Sequence, residues 1–565
     1  EVRAICIDKN DNVWIGTNAG LALFNPTTEK FTVFKHNPND DNSLLSNSIY
    51  DIKQMKDGKI WICTNMGGVS ILDLQHNAFI SAEEIDFQNI KATNDNYGLS
   101  SPNARCAYQD CYGNIWIGNY RGGIDFISHT QPMFNILPYT IETAKGLSYK
   151  QVWGMWATDN QVWLGSEDEL GLFINGKKIK TYDLYSHELV YNTHINTIYE
   201  DRQKRLWLGT YKNGILLYKP DKQEIVHISS SLFNNLDVRC FYEDQNGKMW
   251  IGTETGIYSC TNEVLVKEEE IQKQLPDIMV HSLLRDKEGK LWVGTFGKGI
   301  SIFDVNNKLL WNFVIENGFC SNAVNHMIKD SEEQIWVATR EGLAVFKNTS
   351  QPNRYKIFKE KEGLENSHIR AICEDLEKRI WISSNDGISC LDPKQNLFYN
   401  YNHHDGVPMG DFMNGSTCMT HNGIIYFGSQ NGACFFNPKE LSSIRQVSPV
   451  KITQFCKYNK KTESKDAEIS IPFKKGVVHL PYNQNSFRIT FNVLDYTQSP
   501  QVEFTYMLEG LENRWYDTQG ENQVIFRNIP PGKYNFKVRT RIRNQEWDKE
   551  IASLNIFIAP PLWLT

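Results

Sequence analysis

Hydrophobic and polar positions along residues 1–446 fall into short blocks that return every forty-odd residues. Residues 279–313 show one period. An apolar run, MVHSLLR (279–285), meets a polar turn, Asp286-Lys-Glu-Gly289, and then a second run, KLWVGT (290–295). A loop, FGKG, leads to ISIFD, and a half-polar run, KLLWNFV, ends the unit. Runs this short, bounded by Asp, Lys and Gly, have the length of strands rather than helices. The second run is apolar on both faces, which predicts a sheet packed between two others. In the turn, Asp bonds its own backbone and Gly supplies a positive φ. Gly294 removes a side chain where a neighbouring sheet must approach.

The second run carries the marker W-[ILV]-G-[TS], at Trp14, Trp61, Trp116, Trp163, Trp207, Trp250, Trp292, Trp336 and Trp381, with Tyr426 in a tenth copy. The spacings are 47, 55, 47, 44, 43, 42, 44, 45 and 45 residues. That period with four strands per unit predicts propeller blades, and the repeat tryptophans read as core. A lone blade leaves both faces wet, whereas a ring buries them. Lys204, Glu333 and Lys378 replace the turn glycine and predict strained or differently shaped hairpins. Asp-rich turns such as DKNDN (8–12) recur at every first hairpin, which favours turn chemistry over calcium loops.

Most units end in an outer strand, but none follows the tenth, GACFFNPKELSSIRQVSP. The stretch QPMFNILPY (131–139), ahead of the fourth unit, fits that vacancy. The chain therefore reads as all-β: a seven-bladed β-propeller over 131–446, preceded at 1–130 by three blades of a second, incomplete propeller. Roughly four blades are expected ahead of them. Residues 447–565 read as short alternating strands, among them VKITQFCKY, EFTYMLEGLENRW and GKYNFKVRTR, the pattern of an immunoglobulin-like β-sandwich.

Composition narrows the function. The 565 residues carry a formal charge of −7 with both signs interspersed, so no nucleic-acid groove is expected. No apolar run is long enough to span a membrane, and EVRAICID at the start predicts no signal peptide. The twelve cysteines include no CxxC pair and read as buried free thiols; no metal or cofactor set is predicted.

The repeats resemble the two-component-regulator propeller repeat, ED-x-x-G-x-[IL]-W-[IV]-G-T-x-x-G. The tail is similar to the triple-tyrosine sandwich that follows such propellers, through Phe504-Thr-Tyr506-Met-Leu508-Glu-Gly510, Trp515 and Ile529-Pro-Pro-Gly532-Lys-Tyr534. The ending APPLWLT resembles the segment before that family's membrane helix, expected here directly after residue 565. The family is the periplasmic sensor region of hybrid two-component systems of gut bacteria. The resemblance implies two propellers and a sandwich on the periplasmic face of the inner membrane, recognition of oligosaccharides from polysaccharide breakdown, and control of glycan-utilisation genes. It also implies a homodimer through the sandwich. The kinase half is not in these residues, so no catalytic residue is assigned.

Loops entering the first strand and loops joining the second and third strands share one propeller face. Those positions hold Trp153, His194, Tyr211, Arg239, Phe296, Arg340, His368 and Arg370, and in the first propeller Asn119, Tyr120 and Arg121. Aromatic plates suit a pyranose face and guanidinium forks suit hydroxyls or carboxylates. Tyr211, Arg239, Phe296, Arg340 and Arg370, with Tyr120 and Arg121, are therefore the ligand candidates, and three arginines suit an acidic saccharide. Trp153 and Trp156 read as core. The insertion at about 79–104, implied by the 55-residue spacing, is a second candidate. A propeller lyase or glycan-cleaving enzyme would need a converging acid and base, for which His403-His404-Asp405 and Asp411 form the one local cluster. A protein-binding scaffold is the third reading.

Overall fold

The computed structural model describes residues 1–26, 28–73, 86–92, 98–129, 133–137, 151–158, 161–167, 169–174, 177–184, 194–228, 236–261, 263–441, 448–457, 468–469, 477–496, 502–542 and 547–561. Contacts divide the chain into two compact units. One joins Glu1–Gln131 to Val447–Thr565; the other is Pro132–Gln446.

Among its described residues the Pro132–Gln446 unit holds seven four-stranded antiparallel sheets. The Trp292 sheet, for example, runs Val280–Arg285, Leu291–Thr295, Ile300–Phe303 and Leu309–Phe313. The first strands stand side by side around a centre, and Gly154–Ala157 adjoins both Ile195–Glu200 and Phe412–Met419, which closes the circle. The last sheet takes its outer strand from the other end of the unit. Asn135–Leu137 pairs antiparallel with Gly432–Phe436, Ile136 opposite Cys434, while the chain after Phe436 turns into the short helix Pro438–Leu441. Phe134 anchors this closure: it is 1% exposed, with its ring 4.8 Å from Phe436 and 5.2 Å from Tyr401.

The repeat motif has a mechanical reason. Asp286 accepts the N–H groups of Glu288 and Lys290 on one carboxylate oxygen, at 2.9 and 3.0 Å, and Trp292 Nε1–H on the other, at 3.0 Å. The turn and the buried indole are thus held by one side chain. The same indole-to-carboxylate bond joins Trp14 to Asp8, Trp116 to Asp110, Trp207 to Asp201, Trp250 to Asp244, Trp336 to Asp330 and Trp381 to Asp375. Where Met55 stands in place of the Asp, the buried Trp61 Nε1 has no partner. The Asp-rich turns spend their oxygens on this latch. Lys204, Glu333 and Lys378 keep the glycine turn's shape, with φ of 65°, 63° and 67° against 79° at Gly289, at a cost of about 1–2 kcal/mol each. A Cβ on Gly294 would lie 2.7 Å from Val324 of the next blade.

The other unit contains two four-stranded sheets, within Val2–Phe34 and Ile49–Ile90, and a three-stranded sheet within Ala104–Ile127. Val2, Ile5, Ile7 and Phe31 of the first sheet are each more than half exposed. The sandwich packs a four-stranded sheet on a five-stranded one, its core built from Phe455, Phe487, Phe491, Phe504 and Phe536. Strand Gly532–Ile542 alternates buried and half-buried residues, and the Tyr534 hydroxyl donates to the Pro530 carbonyl at 2.8 Å, fixing the corner. The third blade and the sandwich meet where Trp116 packs edge-on to Tyr496, 5.1 Å between rings. Ten cysteines are buried or half-buried, but Cys106, on a strand of the third blade, and Cys111, in its first hairpin turn, are exposed. Of the insertion at 79–104, residues 79–85 and 93–97 lie outside the described residues.

Candidate ligand-binding face

One backbone irregularity recurs and builds the site. In the first strands, pairing jumps from Val238 to Cys240, Val280 to Ser282, Val324 to His326, Ile369 to Ala371 and Ile195 to Thr197. The skipped residues, Arg239, His281, Asn325, Arg370 and Asn196, sit in β-bulges, which re-aim a side chain out of the ladder. The loop between second and third strands is tied beside each bulge. Tyr211 N–H donates to the His194 carbonyl at 2.8 Å, Glu254 to Asp237 at 3.1 Å, Phe296 to Met279 at 3.0 Å and Arg340 to Ala323 at 3.2 Å. A bulged residue and a loop residue therefore lie side by side in successive blades, although Asn325 is itself buried, its amide donating to the Ile369 carbonyl at 2.7 Å.

Arg239 lies between two carboxylates, 2.6 Å from Asp237 and 2.8 Å from Glu254. Burial pushes Asp237 up to about 7, against the pull of Arg239. Burial would raise Glu254 as well, but hydrogen bonds from Asp237 and Arg239 hold it low. In the next blade the His281 ring lies 4.9 Å from Phe296, and the Arg340 guanidinium sits over the other part of this stack, 4.4 Å from the Phe296 centroid. Burial, then Arg239, pushes His281 down to about 4, so its ring is neutral. Arg370 is held by three bonds: it donates to Asn385 at 2.8 Å, Asn414 at 3.0 Å and Asp411 at 3.4 Å. Asn414 reaches it from a wider bulge, since pairing passes from Phe412 directly to Thr417. His368 Nε2 is buried without a partner, and burial followed by Arg370 and Arg340 lowers its pKa. Further round, Tyr211 lies edge-on to His194, which pairs with Glu167 at 3.1 Å.

Tyr211, Arg239, Phe296, Arg340 and Arg370 all occupy this one face, in consecutive blades from Trp207 to Trp381. Their charges differ from a set of three free arginines. Arg239 and Arg370 are neutralised by Asp237, Glu254 and Asp411, which leaves Arg340 exposed on its phenyl ring. The face offers aromatic plates, fixed carboxylate and amide acceptors and a few donors, the chemistry of a hydroxyl-rich ligand. Trp153 is half-buried with Nε1 unpartnered, and Trp156 packs on Tyr199 at 5.4 Å. His403–Asp405 forms a 3₁₀ turn rather than a strand, because Asp405 caps the Asn402 N–H at 2.9 Å. No group of three metal-ligating side chains occurs among the described residues.

The first three blades carry an independent face of the same construction. Arg3, Tyr50 and Arg105 are the bulged residues there. Tyr120, 48% exposed, is tied by its N–H to Asn103 at 2.9 Å, and Arg121 follows it at φ 59°. Asn119 is spent on Asp125 at 2.7 Å. A pocket of about 380 Å³ opens between His36, Asp40, Asp41, Ser43, Met66 and Lys91.

Comparison with known proteins gives this architecture its place. The two component regulator propeller family matches residues 1–19, 190–212, 231–255 and 274–297, and the Y_Y_Y domain matches 495–559. The extracellular domain of a protein described as a hybrid two component system from B. thetaiotaomicron is 41% identical over 99% of this chain and 73% of its own, with a TM-score of 0.84. This chain belongs to the extracellular sensor domains of hybrid two-component systems. A curated histidine kinase of Formosa agariphila is 26% identical along the whole chain, which spans 45% of that relative. Among the described residues no helix is long and apolar enough to cross a membrane.

Sequence reasoning found the loop residues and two of the bulged arginines but missed His281, Asn325 and Asn196, and the acids Asp237 and Glu254. A signal was present: V-R-C-F, V-H-S-L, V-N-H-M and I-R-A-I each place a polar residue directly after the β-branched residue that opens the strand.

Proposed function

We propose that this chain is the periplasmic ligand-sensing region of a hybrid two-component histidine kinase, and that it reads oligosaccharides released during polysaccharide breakdown. The array from Tyr211 through Arg239, His281, Phe296 and Arg340 to Arg370 carries this reading: plates and pre-paired polar groups, already rigid, fit a ligand of rings and hydroxyls. The sandwich pairs two chains and passes the change to a membrane helix that follows it, which switches the genes for glycan use. Such switching requires the ligand to favour one arrangement of the pair. The site works by recognition, with no step of catalysis.

Calorimetry against neutral and acidic oligosaccharide digests tests the reading. At least one digest binds, and Phe296→Ala and Arg340→Ala each weaken it tenfold or more. Binding untouched by both variants moves the site elsewhere. Crosslinks across the sandwich that are the same with and without that digest remove the signalling step.

A further inference from the structure

The face of the first three blades carries an alternating ladder of guanidinium groups and phenol rings. Arg3 lies 5.0 Å from the Tyr50 centroid, Arg105 lies 3.7 Å from Tyr50 and 4.8 Å from Tyr120, and Arg121 lies 5.2 Å from Tyr120. Arg105 is held between two rings contributed by two different blades. Stacking of this kind fixes the guanidinium plane and leaves its N–H edge to find acceptors.

The same strand position elsewhere shows what a guanidinium there normally receives. Arg239 has Asp237 and Glu254, Arg370 has Asp411 and two amides, and Arg3 has Glu1 at 3.2 Å and Ser48 at 3.3 Å. Arg105 has no hydrogen bond or ion pair among the described residues. Arg121, exposed, has none either. Among the described residues Glu1 is the one carboxylate paired with any of these three cations, in a chain whose net charge is −7. Tyr120 adds a broad ring that is 48% exposed.

We propose that Arg105, flanked by Tyr50 and Tyr120, is the anion-recognising subsite of this sensor, taking the carboxylate or sulfate group of an acidic oligosaccharide. The acid accepts the fork of Arg105, with Arg121 alongside, and the adjoining sugar ring lies on Tyr120. This rests on the reading of the chain as an oligosaccharide sensor and assigns the acidic part of the ligand to these blades, away from the self-neutralised face at Arg239 and Arg370.

The test is calorimetry on the whole chain with an oligogalacturonide, a sulfated galactan oligosaccharide and neutral cello-oligosaccharides. Binding of the uronate or the sulfated sugar, weakened tenfold or more by Arg105→Gln and by Tyr120→Ala, supports the subsite, and the sugar that binds names the acid. Arg105→Lys keeps the charge but loses the fork, and retains part of the affinity. Unchanged melting of each variant separates loss of the site from loss of the fold. Acidic sugars that bind the variants as well as the parent, or neutral sugars binding alone, overturn this subsite and leave the sensor reading standing. A folded chain that binds none of the three overturns this subsite, and the sensor reading falls with it only if the neutral and acidic digests also fail to bind.

Discussion

Replacing Asp286 by Ala removes a carboxylate that is 5% exposed and accepts three hydrogen bonds. The Trp292 indole, fully buried, then has an N–H with no acceptor, at about 1–3 kcal/mol. The N–H groups of Glu288 and Lys290 lie at the surface turn and recover water, so each adds only about 0.5–1 kcal/mol. The expected loss is therefore about 2–5 kcal/mol. A urea titration followed by tryptophan fluorescence reads the loss, and hydrogen exchange over residues 286–292 localises it. Two controls isolate the indole bond. In the double variant Asp286→Ala/Trp292→Phe the two losses fall short of additive by about 1 kcal/mol or more, because the phenyl ring has no N–H to orphan. Trp61→Phe, at the blade where Met55 supplies no acceptor, costs less than Trp292→Phe. If Asp286→Ala stays within about 0.5 kcal/mol of the parent, or if the two tryptophans respond alike, the latch does not hold the blade.

Gly299→Ala should cost about 3 kcal/mol or more in urea, since φ is 63° and the new Cβ would strike the Phe313 carbonyl, while Gly318→Ala, at φ 87° in open space, costs about 1 kcal/mol. Phe134→Ala empties the closure of the ring and should cost about 3–5 kcal/mol, with early proteolysis near Gly432–Phe436; an unchanged digestion pattern would count against that closure. His326, mostly buried and accepting the Ile372 N–H at 3.2 Å, is pushed by burial down to about 4. Its folded pKa lies below the ordinary value, so its contribution is complete above about pH 6.5 and falls away as the pH drops towards 4, by about 2–3 kcal/mol. The difference between parent and His326→Gln across that range measures it, because Asp237 contributes a slope of opposite sign to both proteins; parallel curves would refute it.

The strands were readable because each blade repeats the same conflict: apolar on both faces, it cannot stand alone, and Trp, Gly and Asp mark where it must pack and turn. The stretch around Phe134 was readable for a similar reason, as an apolar segment with no blade of its own beside a blade with no outer strand. The site was harder. A bulge is one residue long and shifts no hydrophobic period, so His281 and Asn325 look like ordinary strand residues. Charge pairing was hidden as well: Asp237 precedes Arg239 by two positions, but Glu254 arrives from a different loop fifteen residues later. Three arginines in the sequence therefore overstated the positive charge of that face. The packing of Trp116 on Tyr496 joins residues 380 positions apart, which no local pattern encodes.

The pairing of Asn135–Leu137 with Gly432–Phe436 dictates an order of events as the chain emerges N-terminus first. The first of these strands appears some three hundred residues before its partner, so six blades must assemble while one waits unpaired. Only when the final blade has emerged can the ends be stitched together, and from then on neither end can fray without opening the whole circle.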